Sequence, residues 1–218
     1  MDDPSFADLT LMEFTGRLAA AEAVPGGGSA SAIAGALGAS LVAMVADLSA
    51  GRPRFAPYAA TLTRCADLGR GLREELLRLA DADSAAYATF AAAMKMPRET
   101  PEQQSARRAA IERAARGASE VPWDCVRACS ALATAAEALA GRSNPNAASD
   151  LLVASMLAEA GARGAAENVR VNLGSTGDDD YAERMRCDVD EALHEVASLV
   201  ARTREVILSG RTRDPEEA

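Results

Sequence analysis

Apolar positions along this chain recur three and four residues apart, and polar punctuation divides them into segments. Thr10 and Glu13 have capping-box spacing and open a first helix reaching about Ala23. A second runs from Ser29, as its N-cap, to about Ala50, with Asp47 its only charge. Between Pro57 and Met96 leucines keep helical spacing with arginines on other faces, predicting one helix of about 40 residues or two joined near Gly69 and Gly71. Thr100-Pro101-Glu102-Gln103 supplies an N-cap, a proline at the first helical position and a capping-box glutamine. Pro122 is expected to bend or restart that helix, which resumes to about Ala140. GRSNPNAASD reads as a turn with Asn146 or Ser149 capping a helix to about Asn172, and a last amphipathic helix follows GSTGDDD to about Leu208. No run alternates as a strand does. The pattern predicts an all-α fold, an antiparallel up-and-down bundle of long helices in one domain over 1–209, with a loose C-terminal tail at 210–218.

Composition sharpens this picture. Of 218 residues 49% are hydrophobic but only 4% aromatic, so the apolar content is mostly alanine, leucine and valine, and alanine is the best helix former. A net charge of −9 argues against unspecific nucleic-acid binding, although the basic spots Arg52/Arg54 and Arg107/Arg108 suit a small anionic ligand. Cys65, Cys125, Cys129 and Cys187 lack CxxC spacing and His194 is the sole histidine, so no metal site and no disulfide framework is indicated. The acidic MDDPSFADL start is no secretory signal, and a cytoplasmic, reduced protein is expected.

The stretch from Pro25 through Gly26, Gly27, Gly28 and Ser29 invites a phosphate-loop reading, but the lysine of GxxxxGK[ST] is missing. A dinucleotide loop needs a preceding strand, and LAAAEAV is helical instead. Ser29 to Val45 approaches the length of a membrane span, but its alanine and glycine content favours a buried bundle helix, with Gly35 and Gly38 permitting close contact and no membrane partner expected. Two readings of the glycines stay open: a flexible turn, or a set of exposed backbone N–H groups suited to a carboxylate, carbonyl or oxyanion.

Asp81 shares its helix face with Glu74 and Arg78, the usual solvated arrangement. Asp83 shares its face with Leu76, Leu79, Ala80, Tyr87 and Phe90, where desolvation would raise its pKa and suit it to general acid catalysis; the competing reading is a structural hydrogen bond across the bundle. On the following SDLLVASMLAEAGARGAAENVRVNL helix, Asp150 and Asn168 point the same way with Asn172 close to them in angle, while Glu159, Arg163, Glu167 and Arg170 gather opposite. Its inward face therefore holds an aspartate and two amides that need partners, either other helices or a bound polar heterocycle.

These motifs coincide with a family. PGGGSASAIAGALGASLVAMV from Pro25, LADADSAAYATF from Leu79, MPRETPEQQSARRAA from Met96, VPWDC from Val121 and NPNAASDLLVASMLAEAGARGAAENVRVNL from Asn144 run in order over roughly Leu9 to Leu208, and the chain resembles the cyclodeaminase/cyclohydrolase family. The resemblance implies a homodimeric helical bundle that binds a reduced folate near the subunit interface. The implied reaction converts 5-formiminotetrahydrofolate to 5,10-methenyltetrahydrofolate and ammonia, or hydrolyses the methenyl compound, and a third reading keeps the fold and the acid for another imine or amidine substrate in a specialised pathway. The substrate itself is the only folate required, with no further cofactor. By position, Asp83 falls on the family's proton donor, Pro25 to Ser29 on its ligand loop, and Asn144, Ser149, Asp150, Asn168 and Asn172 on polar positions near that loop. With no transferase segment ahead of the bundle, a formimino substrate is expected to come from a separate enzyme. Ser143 stands where glycine is frequent, and the proline of GRPRF interrupts a usually basic-aromatic stretch.

Overall fold

Thr10 opens helix α1 (Leu11–Leu18) as its spacing predicts, its hydroxyl accepting from the Glu13 N–H while the Glu13 carboxylate accepts from the Thr10 N–H. The helix ends five residues earlier than expected. Ala19 to Ala23 are exposed, and alanine propensity without a packed face does not hold a helix of this length in water. The structure, a computed structural model, describes residues 4–215, and six α-helices with three short 3-10 turns account for the regular structure there, with no strand among the described residues.

The remaining helices are α2 (Gly27–Ser49), α3 (Ala59–Met94), α4 (Pro101–Leu139), α5 (Ala148–Leu173) and α6 (Asp179–Ser209). α2 starts two residues before the predicted cap: Gly26 is the N-cap, and Ser29 lies inside the first turn. α3 passes through Gly69 and Gly71 as one helix. The Thr100/Gln103 capping box is present on α4. Neither Asn146 nor Ser149 caps α5; Ala147 holds that position, and Asn144 caps the Pro145–Ala147 turn by accepting from the Asn146 N–H at 3.1 Å.

α4 also runs through Pro122, where the sequence predicts a bend or restart. Proline has no N–H for the carbonyl four residues earlier, here Ala118. The Asn172 side chain on α5 fills the gap, its Nδ2 donating to the Ala118 carbonyl at 2.7 Å. A side-chain amide thus replaces the missing backbone donor and ties α5 to α4.

Around the body α2 packs on α3 and α5, α4 packs on α3 and α5, and α6 lies on α4 and α5. Gly28 stands at Asp83, Gly35 at Leu76, and Ala39 and Ala43 at Gly69, so numbers rise along α2 as they fall along α3. The same reversal holds across α2 and α5, where Gly27 meets Asn168, Gly35 meets Gly161 and Gly38 meets Ala154. A Cβ on Gly35 would lie 2.9 Å from Cys129 Sγ, and one on Gly69 would lie 2.7 Å from the Ala39 carbonyl, so these positions need glycine for the helices to touch. Leu76, Leu132, Leu139 and Leu151 fill the core between them. α2 has the length and apolar composition of a membrane span, yet thirteen of its 23 residues are buried inside the bundle.

Because Gly28 meets Asp83, the last eleven residues of α3, Ser84 to Met94, continue about 16 Å beyond the start of α2. α4 accompanies them, with Arg107 Nη2 donating to the Met94 carbonyl at 3.0 Å. This hairpin stands above a shelf formed by the start of α2 and the end of α5. At the opposite end the expected loose tail is held: Arg213 N–H donates to the Gly141 carbonyl, Tyr58 Oη to the Arg213 carbonyl, and the buried Arg142 Nε to the Asp214 carbonyl. Residues 216–218 of that tail, and 1–3 of the expected domain, lie outside the described residues.

Candidate functional site

The first intrahelical bond of α2 runs from the Ala30 N–H to the Gly26 carbonyl, so the N–H groups of Gly27, Gly28 and Ser29 have no helical acceptor. No side chain of α2 itself caps them. Asp83 of α3 comes in from the side: its carboxyl lies directly against the Gly28 Cα, and a Cβ on that residue would sit 2.5 Å from Asp83 Cγ and 2.6 Å from Oδ2. The glycine is therefore required by the carboxyl. Asp83 receives hydrogen bonds from both the hydroxyl and the backbone N–H of Ser29.

The half-buried Asp83 carboxyl is held above the usual carboxylate range. Burial in the apolar shelf is the principal cause, and the two Ser29 bonds, which favour the charged form, offset it only in part. The buried Ser29 hydroxyl lies 2.9 Å from the Ala80 carbonyl, 3.2 Å from Asp83 Oδ2 and 3.3 Å from Ser84 Oγ. A hydroxyl has one proton to donate. When Asp83 is ionised, Ser29 must choose between Ala80 and the carboxylate. When Asp83 is protonated, its own proton goes to Ser29 Oγ and the Ser29 proton goes to Ala80, so every acceptor is served. The local network thus accommodates a carboxylic acid at this position.

Asn168 joins this end of the bundle. Its Nδ2 donates to the Gly164 carbonyl at 2.9 Å and lies 3.8 Å from where a Gly27 Cβ would be. Pro25, buried, leads into Gly26 through a cis Val24–Pro25 bond and lines, with Arg17, Glu22 and Ser84, a cavity of about 780 Å³ between α3 and the N-terminal segment. Asp83, Gly26 to Ser29, Pro25 and Asn168 therefore converge. Asn172, one turn beyond Asn168, borders the same end, but its Nδ2 is committed to Ala118.

Three of the sequence candidates lie elsewhere. Asp150 is eighteen residues from Asn168 on one helix, about 27 Å along its axis. Periodicity fixes the direction of a side chain around the axis and leaves its height open, so one shared face spans both ends of the bundle. Asn144 is buried and its N–H donates to Ser49 Oγ, at the far end of α2, and the exposed Ser149 lies beside it in sequence. Asp81 also departs from expectation: instead of a solvated face it accepts from Ser5 Oγ at 2.6 Å and the Phe6 N–H at 2.8 Å, fastening the N-terminal segment to α3. Ser84 is a site residue that sequence reasoning misses, and its only signal is its place directly after Asp83.

Cys125 and Cys129 are buried, and the neighbouring Cys129 together with burial holds the Cys125 thiol well above the ordinary thiol range, as inert core. No group of three His, Cys, Asp or Glu side chains among the described residues is placed to hold a metal ion. What the shelf offers is a carboxyl of raised pKa beside the Gly27 and Gly28 N–H groups, which have no helical acceptor.

Comparison with known proteins gives this geometry a context. A family model described as formiminotransferase-cyclodeaminase matches residues 10–191. A methenyltetrahydrofolate cyclohydrolase of Methylorubrum extorquens is 36% identical over 200 residues, covering 92% of this chain and 96% of that protein. A formimidoyltransferase-cyclodeaminase of Rattus norvegicus is 35% identical over 199 residues, or 91% of this chain, which spans only 37% of the rat protein's length. The crystal structure of formiminotetrahydrofolate cyclodeaminase from Thermotoga maritima superposes with a TM-score of 0.84 at 26% identity, covering 93% of this chain and 98% of that one. With a family model spanning most of its length and relatives above 30% identity along it, the chain belongs to the formiminotransferase-cyclodeaminase family of folate cyclodeaminases and cyclohydrolases.

Proposed function

We propose that this protein is a formiminotetrahydrofolate cyclodeaminase that closes 5-formiminotetrahydrofolate to 5,10-methenyltetrahydrofolate with release of ammonia. The observation that carries this reading is the Asp83 carboxyl, half-buried, raised in pKa and seated on the glycine start of α2. The likeness to the Thermotoga cyclodeaminase over nearly the whole of both chains supports it.

The chemistry follows from one acid shared by two steps. The formimino group reacts as its protonated amidinium: as N10 bonds to that carbon, the carbon–nitrogen π pair moves onto the exocyclic nitrogen and leaves it as an amino group, while N10 loses its proton to Asp83 in its carboxylate form. The carbon then holds two ring nitrogens and an amino group. Asp83, now the acid, delivers the proton to the amino nitrogen, the carbon–nitrogen bond breaks, and ammonia leaves as N5 supplies its lone pair to the methenyl bridge. Such transfers are worth about 10²–10⁴ in rate, and a pKa lifted toward the working pH suits a group that both takes and gives. Ser29 steadies whichever form is present. Pro25, Gly26, Gly27 and Gly28 form the floor on which the ligand rests, with Asn168 at its edge. No cofactor beyond the folate is required by these steps, and the reading places the enzyme in the cytoplasm.

A second reading, methenyltetrahydrofolate cyclohydrolase, is favoured by the Methylorubrum relative, matched over 96% of its length. There water adds to the methenyl carbon and Asp83 acts first as base.

The same reading includes self-association as a homodimer of antiparallel bundles. Leu37 (56% exposed), Met44 and Leu48 on the outer face of α2 adjoin Val153 and Met156 on α5, an apolar strip that a second copy would cover. With the two α2 helices running in opposite senses about a two-fold axis, the partner's Asn144 to Asp150 end approaches the Asp83 end of this chain. The polar positions separated within one bundle would then meet across the interface.

Purified protein mixed separately with 5-formiminotetrahydrofolate and 5,10-methenyltetrahydrofolate tests the assignment. A rise in methenyl absorbance with the first establishes the deaminase, a fall with the second establishes the hydrolase, and no change with either removes both.

A further inference from the structure

Past the shelf, on the α4 side of the hairpin, lies a cavity of about 510 Å³ whose lining includes Arg98, Arg107 and Arg108, with Glu112 its only acid and the Gly174–Gly177 loop opposite. In a chain of net charge −9 several other cavity-lining arginines have acidic partners, as Arg70 does in Asp47 and Arg213 in Glu137. These three form no ion pair with any described residue. Arg107 is the most constrained: Nη2 donates to the Met94 carbonyl at 3.0 Å, which fixes the guanidinium, while Nε is buried without a hydrogen-bond partner. A buried donor on a fixed cation is costly unless something fills it.

The cavity adjoins the end of α5 that forms part of the shelf. Asn172, whose amide reaches Ala118 on α4, is two residues from the Gly174 that lines it. From Ala118 the α4 axis rises about 16 Å over eleven residues to Arg107, and arginine side chains reach part of the way back. A second cavity with Arg54 and Arg211 lies at the opposite end of the same bundle beside Asn144, where Arg211 is paired with Glu205, and in the proposed dimer the partner's copy of that cavity would be the one to near Asp83.

We infer that Arg98, Arg107 and Arg108 form the site for the carboxylates of the substrate's glutamate tail, which rests on the folate reading above. A reduced folate carries its reacting nitrogens at one end and a glutamate with two carboxylates at the other. With N5 and N10 at Asp83, the benzoyl-glutamate extends along the hairpin toward these arginines. Planar guanidinium groups bind carboxylates in paired fashion, and three forks, one of them held by Met94, match a dicarboxylate. Arg107 is a positioning residue in this scheme. It touches the tail and leaves the reacting atoms to Asp83.

The test measures binding of 5-formyltetrahydrofolate and of 5-formyltetrahydropteroate, which lacks the glutamate, by calorimetry, with turnover followed in parallel. Wild type is expected to bind the glutamyl compound about tenfold tighter or more. In Arg98→Gln/Arg108→Gln, which leaves the Arg107–Met94 bond in place, the preference should collapse and KM for the glutamyl substrate should rise. Arg107→Lys should keep part of it, since charge remains and the fork is lost. No preference in wild type, a preference that survives the double variant, or one abolished instead by Arg54→Gln would overturn the inference. If the preference behaves as stated but no folate turns over, the reaction assignment falls and the tail site stands. If turnover is normal and the preference is unaltered in the double variant, the tail site falls and the reaction assignment stands.

Discussion

Replacing Gly28 with alanine separates the site from the fold. The new Cβ would lie 2.5 Å from Asp83 Cγ and 2.6 Å from Oδ2, about 0.9 Å inside the 3.4 Å where ordinary contact begins. The nearest atoms belong to the end of a half-exposed side chain, so the carboxyl gives way and the helices stay. Overpacking costs about 1–3 kcal/mol in a tight core. Here it falls at the low end, and alanine returns about 0.5–1 kcal/mol of helix stability over glycine. The net loss is about 0–0.5 kcal/mol, a fall of no more than about 2 °C in Tm for a chain of this size. Catalysis fares worse. A displacement near 1 Å takes the acid out of line with its substrate and breaks its 3.2 Å contact with Ser29, at a cost of about 10²-fold. The assay is kcat from methenyl absorbance beside a thermal melt of the same sample. Wild-type kcat in Gly28→Ala would refute the reasoning, and so would a rate loss that merely tracks unfolding.

Linkage predicts a pH signature. The folded Asp83 pKa is raised, so the native state holds a proton that the unfolded chain has released over the window from the ordinary carboxylate range up to the raised value. Stability contributed by that proton is present below the window and lost as pH rises through it. Asp83→Asn keeps an acceptor for the Ser29 N–H without titrating, so the Tm difference between variant and wild type should grow in the variant's favour across that window; a constant difference would mean that burial does not govern Asp83. Asn172→Ala leaves the Ala118 carbonyl unpaired and should cost about 1–3 kcal/mol by denaturant titration. Adding Pro122→Ala restores a backbone donor and should shrink that cost, whereas full additivity would separate Asn172 from the proline. Leu37→Arg places a charge on the exposed α2 strip and should shift the elution of a dimer to that of a monomer; an unchanged dimer would move the interface to another face.

Helix existence is legible in the sequence because caps and periodicity are local signals. Thr10, Thr100 and the long leucine pattern of α3 all appear where their spacing places them. What escapes a sequence reading is supplied from a distance. Pro122 looks like a break because the donor that repairs it, Asn172, lies fifty residues away on another helix. Ser29 looks like an N-cap because the residue that actually reaches the N-terminus of α2 is Asp83, and the tail looks loose because its partners, Arg142 and Tyr58, are far along the chain.

The site is legible in the same measure. Asp83 and the glycine turn are brought together because both stand where α2 begins, and the apolar neighbours of Asp83 foretell its desolvation. Grouping Asp150 with Asn168 fails for a geometric reason, since helical angle repeats along the whole length of α5 while distance accumulates. The arginines of the hairpin are visible as a basic spot, and only the fold shows that three of them line one cavity without an acidic partner among the described residues.

Proton transfer by the Asp83 carboxyl is the step on which the proposed reaction depends. Its most direct test is kcat as a function of pH for wild type and Asp83→Asn, on whichever folate the wild type turns over. Wild type should show a limb governed by a carboxyl titrating above the ordinary range, and the variant should lose about 10²–10⁴ of the rate together with that limb while its melt stays near wild type. Equal rates and matching pH profiles in the two proteins would contradict the account and leave Asp83 as a structural cap on α2.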